Sequence, residues 1–327
     1  MIKKVLLIIL LIFPQQSFSQ EKDKFDIWLN KFKAKALKIG ISQETINKSF
    51  QNVKYLEKVI EYDRRQPEFF EDTLTYVSKR ATRLRVLRAK NLFKKNKKII
   101  EEIENKFKVE KEILLALWGI ETNFGKHVGK MDIISSLATL SFDQRRSKFF
   151  SKELIILLTL VDKKLIDVES LFGSWAGAYG NFQFMPSTIQ NYAIDYDKNN
   201  KIELKKSIHD SIASAANYIN KIGWLYGSSC FYKVKLIKPV AKKNINTSAK
   251  NIKNYSTIKT WKKRGIVFLE NLQIDENMKA ALIQPDGKED SPTYLVFNNY
   301  EKILKWNRSL RFGVTVCTLA NMIKNEI

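Results

Sequence analysis

Glu121 is the residue that the sequence best places for acid-base chemistry. Its carboxylate interrupts an apolar and small-residue stretch, ALWGIETNFG, from Ala116 to Gly125. On a helix that begins near Lys111, Leu114, Leu117 and Glu121 lie on one face. The spacing therefore predicts that the carboxylate points towards a buried or recessed region.

The predicted end of this helix also favours a proton donor. Gly125 is expected to end the helix, which places Glu121 in the last turn, where the helix dipole disfavours an ionised carboxylate. Desolvation and the dipole together are expected to raise the pKa of Glu121, as a general acid near neutral pH requires. A glutamate paired with a basic residue fits the same spacing, and the spacing leaves both interpretations open.

A glycine-rich stretch, GSWAGAYGNFQFMPS, runs from Gly173 to Ser187 and holds three of the twelve glycines within eight residues. Glycines at this density let the backbone turn sharply or approach a ligand closely. Polar and aromatic side chains alternate there: Ser174, Trp175, Tyr179, Asn181, Phe182 and Gln183. Aromatic faces cover the apolar side of a sugar ring while amides and hydroxyls bond its edges, so this stretch predicts a sugar-binding surface. The alternative is a structural turn before a helix that begins near Pro186.

A second candidate site is the stretch DYDKNNKIE, whose oxygen-bearing side chains alternate as in a calcium-binding loop. They are Asp195, Asp197, Asn199 and Glu203. Three positions depart from that pattern, since Asn200 replaces the turn glycine, Lys201 stands at the seventh position and Lys206 replaces the bidentate glutamate. Calcium is therefore a candidate ligand rather than a required cofactor, and we expect it to change the stability of the protein little. The alternative to a calcium site is a plain polar turn. His127 and His209 are too isolated to indicate zinc.

The N-terminus predicts export. Residues 1–19 contain two lysines, an apolar run from Val5 to Phe13, Pro14 and a small-residue pattern, which is typical of a signal peptide cut before Gln20. An uncleaved N-terminal anchor is the alternative. The apolar run is short for a membrane span, and no cysteine follows it to accept a lipid. We therefore expect a periplasmic protein without a lipid anchor.

The mature chain is strongly basic. Without Lys3 and Lys4, the 57 basic residues become 55 against 34 acidic residues, a net charge of about +21. Such a charge favours anionic partners. Export argues against nucleic acid, and the lysines are spread along the chain without a nucleic-acid-binding motif. The two cysteines, Cys230 and Cys317, could pair in an oxidising compartment or remain two buried thiols, and both options stay open.

Hydrophobic periodicity predicts a helical region over residues 20–224. The first helix places Phe25, Trp28, Leu29, Phe32 and Leu37 on one face and stops at Gly40, and Ser42 caps the next. A long basic amphipathic segment from about Leu74 to Lys108 is expected to be a solvated helix face.

A change in the residue pattern predicts a small β-rich subdomain over residues 225–299. Short β-branched or aromatic runs occur there between prolines and glycines: CFYKVKLI, GIVFLE, AALIQPDG and TYLVF. Residues 300–327, with YEKILKW and RFGVTVCTLANMI, return to a helical pattern. We expect this last segment to rejoin the helical region.

Five blocks resemble, in order, the successive blocks of the membrane-bound lytic murein transglycosylase B family (glycoside hydrolase family 103). They are ALWGIETNFG, SLATLSFDQRRSKFF, GSWAGAYGNFQFMPSTIQNYAIDYDKNNKIEL, DSIASAANYINKIGW and YLVFNNYEKILKWNRS. The resemblance runs from about Phe25 to Met322. It implies a mostly α, goose-lysozyme-like fold that cleaves the MurNAc-GlcNAc bond of peptidoglycan and leaves a 1,6-anhydro-muramyl end. The implied partners are glycan strands, with other cell-wall enzymes as candidates, and the implied state is a monomer.

Carried over residue by residue, the resemblance implies that Glu121 is the only catalytic acid and base. It implies substrate contacts for six residues: Ser174, Gln183, Arg146, Tyr218, Asn307 and Trp306. Some family members bind calcium with an aspartate that matches Asp210. Trp306 and Phe312 stand where tyrosine is common in the family, so ring stacking is implied there and hydroxyl contacts are not.

The resemblance also fits an absence in the sequence. Most glycosidases flank the scissile bond with two carboxylates, but the stretch from Gly173 to Ser187 contains none. A lytic transglycosylase needs only one, because the N-acetyl group of the sugar shields the developing cation and its C6 hydroxyl is the nucleophile. The competing interpretations are a hydrolytic muramidase on the same fold and a non-catalytic peptidoglycan-binding protein.

Overall fold

The structure is a computed structural model that describes residues 15–64, 71–270 and 273–327, with side chains described from Gln20 onward. Most of the predicted signal peptide, residues 1–14, lies outside the described residues. Within the described ranges, no helix is long and apolar enough to cross a membrane.

Helices make up most of the described chain, which confirms the mostly α prediction. The first seven are α1 Gln15–Lys38, α2 Gln43–Phe50, α3 Glu57–Arg64, α4 Thr73–Arg80, α5 Arg83–Lys95, α6 Lys97–Phe107 and α7 Lys111–Thr122. The others are α8 Ile133–Phe142, α9 Ser147–Asp162, α10 Pro186–Tyr192, α11 Ile208–Lys221, α12 Ile258–Lys263, α13 Asn298–Trp306 and α14 Leu310–Lys324.

Two small sheets accompany the helices. The first pairs β1 Met131–Asp132 with β2 Phe172–Gly173 in antiparallel register. The second consists of β3 Phe231–Leu236, β4 Ile245–Asn246, β5 Ser256–Thr257, β6 Ile266–Phe268, β7 Lys279–Ile283 and β8 Thr293–Val296. Its strand order is β4-β7-β8-β3-β6, and β5 also pairs with β7. All its pairs are antiparallel except β4 with β7.

The four β-like runs of the sequence thus become strands β3, β6, β7 and β8. One face of the sheet contributes to the main helical core, and the other forms a smaller core around Trp261, which is fully buried. A disulfide joins Cys230, just before β3, to Cys317 on α14, with 6.2 Å between their Cα atoms. The sheet is therefore covalently tied to a core helix.

Two details of the first helices differ from expectation. On α1, Phe25, Leu29 and Phe32 are buried as predicted, but Leu37 is 38% exposed and Ala36 takes the buried position. The helical period places residue 36, rather than 37, below Phe32. Ser42 caps α2 as predicted, because its hydroxyl accepts from the Thr45 N–H.

The basic segment from Leu74 to Lys108 is divided among three helices. The break before α5 forms because the Thr82 hydroxyl accepts from the Arg85 N–H as an N-cap. The second break is at Asn96, whose side-chain amide donates to the Leu92 carbonyl and competes with the helix backbone. The second break allows α6 to pack against α11, with Ile100 and Ile103 buried.

Candidate active site

Glu121 lies in the last turn of α7, a largely buried helix of the main core. All residues of α7 from Glu112 to Gly119 are buried, and α14 packs along the helix. Glu121 itself is only partly buried. The helix therefore holds the carboxylate at the boundary between core and solvent.

The helix ends earlier than predicted, at Thr122 rather than Gly125. Asn123 takes a left-handed conformation with φ +51°, and Phe124 and Gly125 follow with φ +61° and φ +80°. Asparagine tolerates this region better than most residues, so it takes the place expected for glycine. The Phe124 ring folds back onto Gly119, where a side-chain carbon would lie 2.8 Å from the ring.

Two arginines of α5 contact this helix end. Arg85 donates to the Gly119 carbonyl at 3.1 Å, and Arg88 donates to Asn123 Oδ1 at 2.7 Å. Both guanidinium groups lie where the helix carries its partial negative charge, which makes their interaction with the end of α7 favourable. They thus fix the turn from which the Glu121 side chain projects.

The Glu121 carboxylate is hydrogen-bonded to a tryptophan of α13. Trp306 Nε1 donates to Glu121 Oε1 at 2.9 Å. The Trp306 ring is stacked on Tyr218, with ring centroids 5.0 Å apart and 23° between the planes. Tyr218 is in turn stacked on Tyr192, at 4.4 Å and 23°. A stack of three rings therefore extends from the carboxylate.

Further contacts fix this ring stack. The Trp306 ring meets Phe184 and Phe182 at steep angles, with centroids 5.3 Å and 6.1 Å away. The Tyr218 hydroxyl donates to the Lys305 carbonyl at 3.1 Å. Burial, and to a lesser extent Tyr192, raises the pKa of Tyr218 to about 12. Tyr218 is therefore a neutral aromatic ring near neutral pH.

The glycine-rich stretch packs against the loop that follows α7. The Thr122 hydroxyl donates to the Asn181 carbonyl at 2.7 Å, and Gln183 Nε2 donates to the Val128 carbonyl at 3.2 Å. Gly129 is required by a close backbone approach, since a side-chain carbon there would lie 2.0 Å from the Gly173 oxygen. These contacts bring the stretch beside the end of the Glu121 helix.

Within that stretch, Ser174 and Gln183 occupy tight turns. The Ser174 hydroxyl accepts from the Ala178 N–H at 2.9 Å, and Gln183 has a left-handed backbone with φ +50°. Both residues are partly buried. Their side chains are fixed by the backbone of their own loops, as a preformed binding surface requires.

The expectation that Tyr179 and Phe182 present ring faces to a sugar is wrong. Each is 3% exposed. The Tyr179 hydroxyl donates to Ser170 Oγ, and the Phe182 ring packs on Trp118. Glycines turn the backbone so that these rings enter the core, and of the three predicted aromatic residues only Trp175 stays partly exposed.

Arg146 lies at the start of α9 in a cluster around a buried acid. Its Nη1 is 3.2 Å from Asp63 Oδ1, and Arg145 Nε donates to Asp63 Oδ2 at 2.9 Å. The Asp63 side chain is 1% exposed, whereas 39% of the Arg146 side chain is exposed. Tyr62, next to Asp63, contacts Trp175, which connects this cluster with the glycine-rich stretch.

Asn307 directly follows Trp306 at the end of α13. Its backbone N–H donates to the Ile303 carbonyl at 3.0 Å, and its side chain is partly buried. Phe312, the second position where the family commonly carries tyrosine, is 3% exposed on α14. Asn307 is therefore near the carboxylate through its neighbour, whereas Phe312 belongs to the core.

The predicted metal ligands divide into two groups. Asp195, Asp197 and Asp210 each offer a carboxylate oxygen, and these atoms lie within 4.8 Å of one another. Asn199 instead bonds within the loop, because its amide donates to Glu203 Oε2 at 3.1 Å. The donor set that converges is thus three carboxylates, which suit a hard cation such as Ca²⁺.

The loop geometry removes two of the objections that the sequence raised against calcium. Asn200 adopts the left-handed turn conformation expected of glycine, with φ +68°. The Lys201 ammonium lies 2.9 Å from an oxygen of Asp167 and does not join the acidic group. The pKa of Asp210 is raised, mainly by burial and also by the nearby Asp197 carboxylate. Hydrogen bonds from the backbone N–H groups of Glu203 and Tyr196 oppose this increase.

Three features of the site were not identified from the sequence. They are the arginine contacts to α7, the Asp63 cluster and the stacking of Tyr192 on Tyr218. The spacing of Arg85 and Arg88 on one helix face gave a signal, but helix periodicity does not reveal which partner that face contacts. Asp63 and Tyr192 gave no local signal, because their partners lie far away in the sequence.

Comparison with known proteins relates this geometry to a family. Over 120 aligned residues the chain is 42% identical to membrane-bound lytic murein transglycosylase B of Escherichia coli strain K12. The alignment covers 36% of this chain and 33% of that protein. The aligned part thus spans one third of the relative's length.

Solved structures resemble nearly the whole chain. SltB3 from Pseudomonas aeruginosa, in complex with NAG-anhNAM-pentapeptide, has a TM-score of 0.84 and 30% identity, with 92% of this chain and 79% of that chain covered. Escherichia coli Slt35, in complex with calcium, has a TM-score of 0.76 and 26% identity, with 91% and 92% covered. These similarities confirm the lysozyme-like fold.

The family match spans the same region as the structural one. The family described as transglycosylase SLT domain matches residues 24–321, which include the Glu121 helix, the glycine-rich stretch and Trp306. Because this match covers most of the 327 residues, the chain belongs to the transglycosylase SLT domain family.

Proposed function

We propose that the chain is a peptidoglycan lytic transglycosylase. It cleaves the β-1,4 bond between MurNAc and GlcNAc and leaves a 1,6-anhydro-muramyl end, with Glu121 as its only acid and base. The observation that carries this proposal is the position of Glu121, partly exposed at the end of a buried helix and oriented by the Trp306 N–H at 2.9 Å. A carboxylate held in this way can deliver a proton at a fixed place.

The reaction has two steps that share this carboxyl group. In the first, Glu121 protonates the glycosidic oxygen as the bond to C1 of MurNAc breaks. In the second, the C6 hydroxyl oxygen attacks C1 while the carboxylate takes the hydroxyl proton, which regenerates the acid. No water is consumed, so the second carboxylate that most glycosidases use has no role here.

The residues around Glu121 supply the binding surface in this proposal. Ser174 and Gln183 bond saccharide hydroxyl or amide groups from the glycine-rich loops, and Asn307 does so from the end of α13. Trp306 and Tyr218 form one wall of the site through their stacked rings.

Arg146 is assigned to the same cleft on the side of Trp175. Its side chain is 39% exposed, and Asp63 and the rings of Phe149 and Phe150 hold it. A partly exposed guanidinium can still bond an anionic group of the peptide-bearing substrate. The net charge of the chain also favours binding to an anionic polymer.

Two relatives support this assignment. SltB3 is known with NAG-anhNAM-pentapeptide, a ligand with the anhydro end that the proposed reaction forms. The Escherichia coli relative is named a lytic murein transglycosylase. The chain is at least 30% identical to each over the aligned residues.

Calcium is a structural ligand in this proposal and takes no part in the chemistry. Asp195, Asp197 and Asp210 would hold it, and its charge would relieve the repulsion among three convergent carboxylates. The calcium complex of Slt35 supports the choice of ion.

We further propose a periplasmic, monomeric enzyme without a lipid anchor that acts on glycan strands, with other cell-wall enzymes as partners. Its domains are the signal peptide at 1–19, the catalytic region at 20–224, the β-rich subdomain at 225–299 and a returning segment at 300–327. The position of β3 to β8 between Phe231 and Val296 supports these limits.

Product analysis tests the reaction. Purified protein is incubated with sacculi in ¹⁸O water, and the released muropeptides are analysed by mass spectrometry. We expect 1,6-anhydro ends without ¹⁸O. Reducing ends labelled with ¹⁸O would show a hydrolytic muramidase, and the absence of any release would leave a binding protein.

Replacement of Glu121 by Gln tests the acid. The amide keeps the shape of the side chain but cannot give a proton to the leaving oxygen or accept one from the C6 hydroxyl. Turnover should fall by about 10² to 10⁴-fold, the usual contribution of general acid-base catalysis. Sacculus binding should persist in a co-sedimentation assay, and wild-type turnover of this variant would rule out Glu121 as the acid.

A further inference from the structure

We propose that Trp306 is a positioning residue that determines which oxygen of Glu121 carries the catalytic proton. The inference rests on the proposed function, because it concerns the same acid. It starts from the 2.9 Å hydrogen bond between Trp306 Nε1 and Glu121 Oε1, which joins residues 185 positions apart in the sequence.

The indole group is held so that this bond is maintained. Tyr218 is stacked on the Trp306 ring, and Phe184 and Phe182 meet it at 63° and 71°. The Tyr218 ring is fixed in turn by Tyr192 and by its own hydrogen bond to the Lys305 carbonyl. Rotation of the indole away from Glu121 would break several ring contacts at once.

The chemistry of indole gives this bond a direction. The N–H of tryptophan only donates, so the partner oxygen, Oε1, must accept in both protonation states of Glu121. When Glu121 is an acid, its proton is therefore on Oε2. A tyrosine hydroxyl at the same place could donate or accept, and it would not impose this choice.

The same bond stabilises the group as it reacts. As the proton leaves Oε2 for the glycosidic oxygen, negative charge develops over both carboxylate oxygens. A donor already in place on Oε1 becomes stronger as that charge grows, which lowers the barrier rather than only the energy of the bound substrate. In the second step Trp306 still donates to Oε1, so Oε2 is the atom that accepts the C6 hydroxyl proton.

Three charged or titratable groups that contact this helix end keep their charge in the working pH range. Arg85 and Arg88 of α5 bond the Gly119 carbonyl and Asn123, and arginine stays protonated. On α11, the pKa of Tyr218 is raised to about 12, mainly by burial. A fourth, His127, donates its backbone N–H to the Thr122 carbonyl at 2.9 Å and carries an imidazole of the kind that titrates near neutral pH. The pH profiles are therefore also compared in a His127→Gln background, where a shift in a Trp306 variant reports on Glu121.

Three variants separate the hydrogen bond from the ring. Trp306→Phe removes the donor and keeps an aromatic ring, whereas Trp306→Tyr restores a hydroxyl that can donate. Trp224→Phe is the matched control, because Trp224 Nε1 donates to Glu110 Oε2 at 2.6 Å, at the other end of the same helix. It removes an indole-carboxylate bond without affecting the reacting group.

The readouts are kcat, KM and the pH dependence of kcat/KM for anhydro-muropeptide release by the full mature chain. For Trp306→Phe we expect kcat to fall about tenfold to a hundredfold, with KM changed less than about threefold. The alkaline limb of its profile should move to higher pH, because loss of the donor favours the protonated acid. Trp306→Tyr should recover part of kcat, and Trp224→Phe should keep the wild-type profile.

A second measurement does not depend on activity. In ¹⁵N-labelled wild-type protein, the indole N–H signal that is missing from Trp306→Phe should shift with pH, and Glu121→Gln should abolish that shift. The Trp224 signal, whose donor bonds Glu110, should keep its own pH dependence in Glu121→Gln. The proposal is overturned if no indole signal titrates with Glu121. It is also overturned if Trp306→Phe keeps the wild-type kcat and profile, or changes KM alone. A wild-type protein that forms no anhydro product would instead contradict the proposed function.

Discussion

Arg88 donates to Asn123 Oδ1 at 2.7 Å, and Asn123 is the left-handed residue that ends the helix carrying Glu121. The contact connects a basic surface helix, α5, with the last turn of the buried helix α7. It has two separable parts, the side-chain hydrogen bond and the backbone conformation at φ +51°.

Substitutions at Asn123 distinguish these parts. Asn123→Gly and Asn123→Ala both lose the bond to Arg88, but only alanine must be forced into the left-handed region. The alanine variant should therefore be less stable than the glycine variant by about 1–2 kcal/mol in urea unfolding. Equal stability would mean that the left-handed backbone is not maintained in solution.

Activity should follow the same order. A loosened last turn lets the Glu121 carboxylate move from its place, so kcat should fall by about tenfold in Asn123→Ala and less in Asn123→Gly. Arg88→Met, which keeps an unbranched apolar stem but removes the guanidinium group, should resemble the glycine variant. A loss confined to KM would contradict this role.

Local patterns in the sequence predicted much of the fold. Periodicity located α7 and α14, the short β-branched runs became β3, β6, β7 and β8, and the return to helices after residue 300 was correct. These features depend on neighbours within about ten residues, which a single sequence displays. The breaks at Thr82 and Asn96 were missed because single side-chain caps outweighed the periodic pattern.

The candidate site was less predictable, since its main contacts join distant parts of the chain. Nothing in the sequence around Trp306 indicates that its N–H meets Glu121. Burial of Tyr179 and Phe182 likewise depends on how glycine turns direct the backbone, which composition does not reveal. Residue types therefore indicated the chemistry, and packing determined which of them meet.

Calcium should stabilise the protein, in contrast to the sequence-based expectation. That expectation relied on positive charge at Lys201 and Lys206, but the Lys201 ammonium is bound to Asp167 and three carboxylates still converge. For a dissociation constant of about 0.1–1 mM, 10 mM calcium adds about 1.5–3 kcal/mol, or a few degrees in the melting temperature. Differential scanning fluorimetry with calcium and with chelator measures this change.

Two variants make the calcium test specific. Asp197→Asn should abolish the increase, because Asp197 is an exposed member of the carboxylate group. Asp167→Asn should retain it, because Asp167 is a nearby acid outside that group. No increase in wild type, or an equal increase in Asp197→Asn, would exclude a calcium site at these residues.

The disulfide between Cys230 and Cys317 should contribute substantially to stability. It closes a separation of 87 residues and ties the sheet to α14, which packs on the Glu121 helix. The double variant with serine at both positions should lose about 2–5 kcal/mol of unfolding free energy. Wild-type protein treated with dithiothreitol should show the same loss, and thiol titration of denatured, unreduced protein should find no free thiol. Two titratable thiols would contradict the bond.

Asp286 predicts an acid-sensitive connection between the sheet and the helices. Its carboxylate accepts from the Thr73 N–H and hydroxyl on α4 and from Arg311 on α14, and only 7% of its side chain is exposed. Burial alone would raise the pKa of Asp286, but the hydrogen bonds from Thr73 and Arg311 outweigh it and lower the pKa below its usual value. Its stabilisation is therefore present above the unfolded-state pKa of about 3.9 and is lost as the pH falls through the lower folded value.

Asp286→Asn tests this connection, because the amide keeps the shape but leaves Arg311 without a counter-charge. At pH 7 the variant should lose about 2–3 kcal/mol of unfolding free energy, somewhat less than a fully buried pair would cost. The difference from wild type should shrink in urea titrations as the pH is lowered from 4 to 3. Glu276→Gln is the matched control, because it breaks an exposed, solvent-screened pair with Lys262 and should leave the unfolding free energy nearly unchanged at any pH. If the loss of unfolding free energy in Asp286→Asn stayed constant down to pH 3, the negative charge of Asp286 would not be the source of the stabilisation.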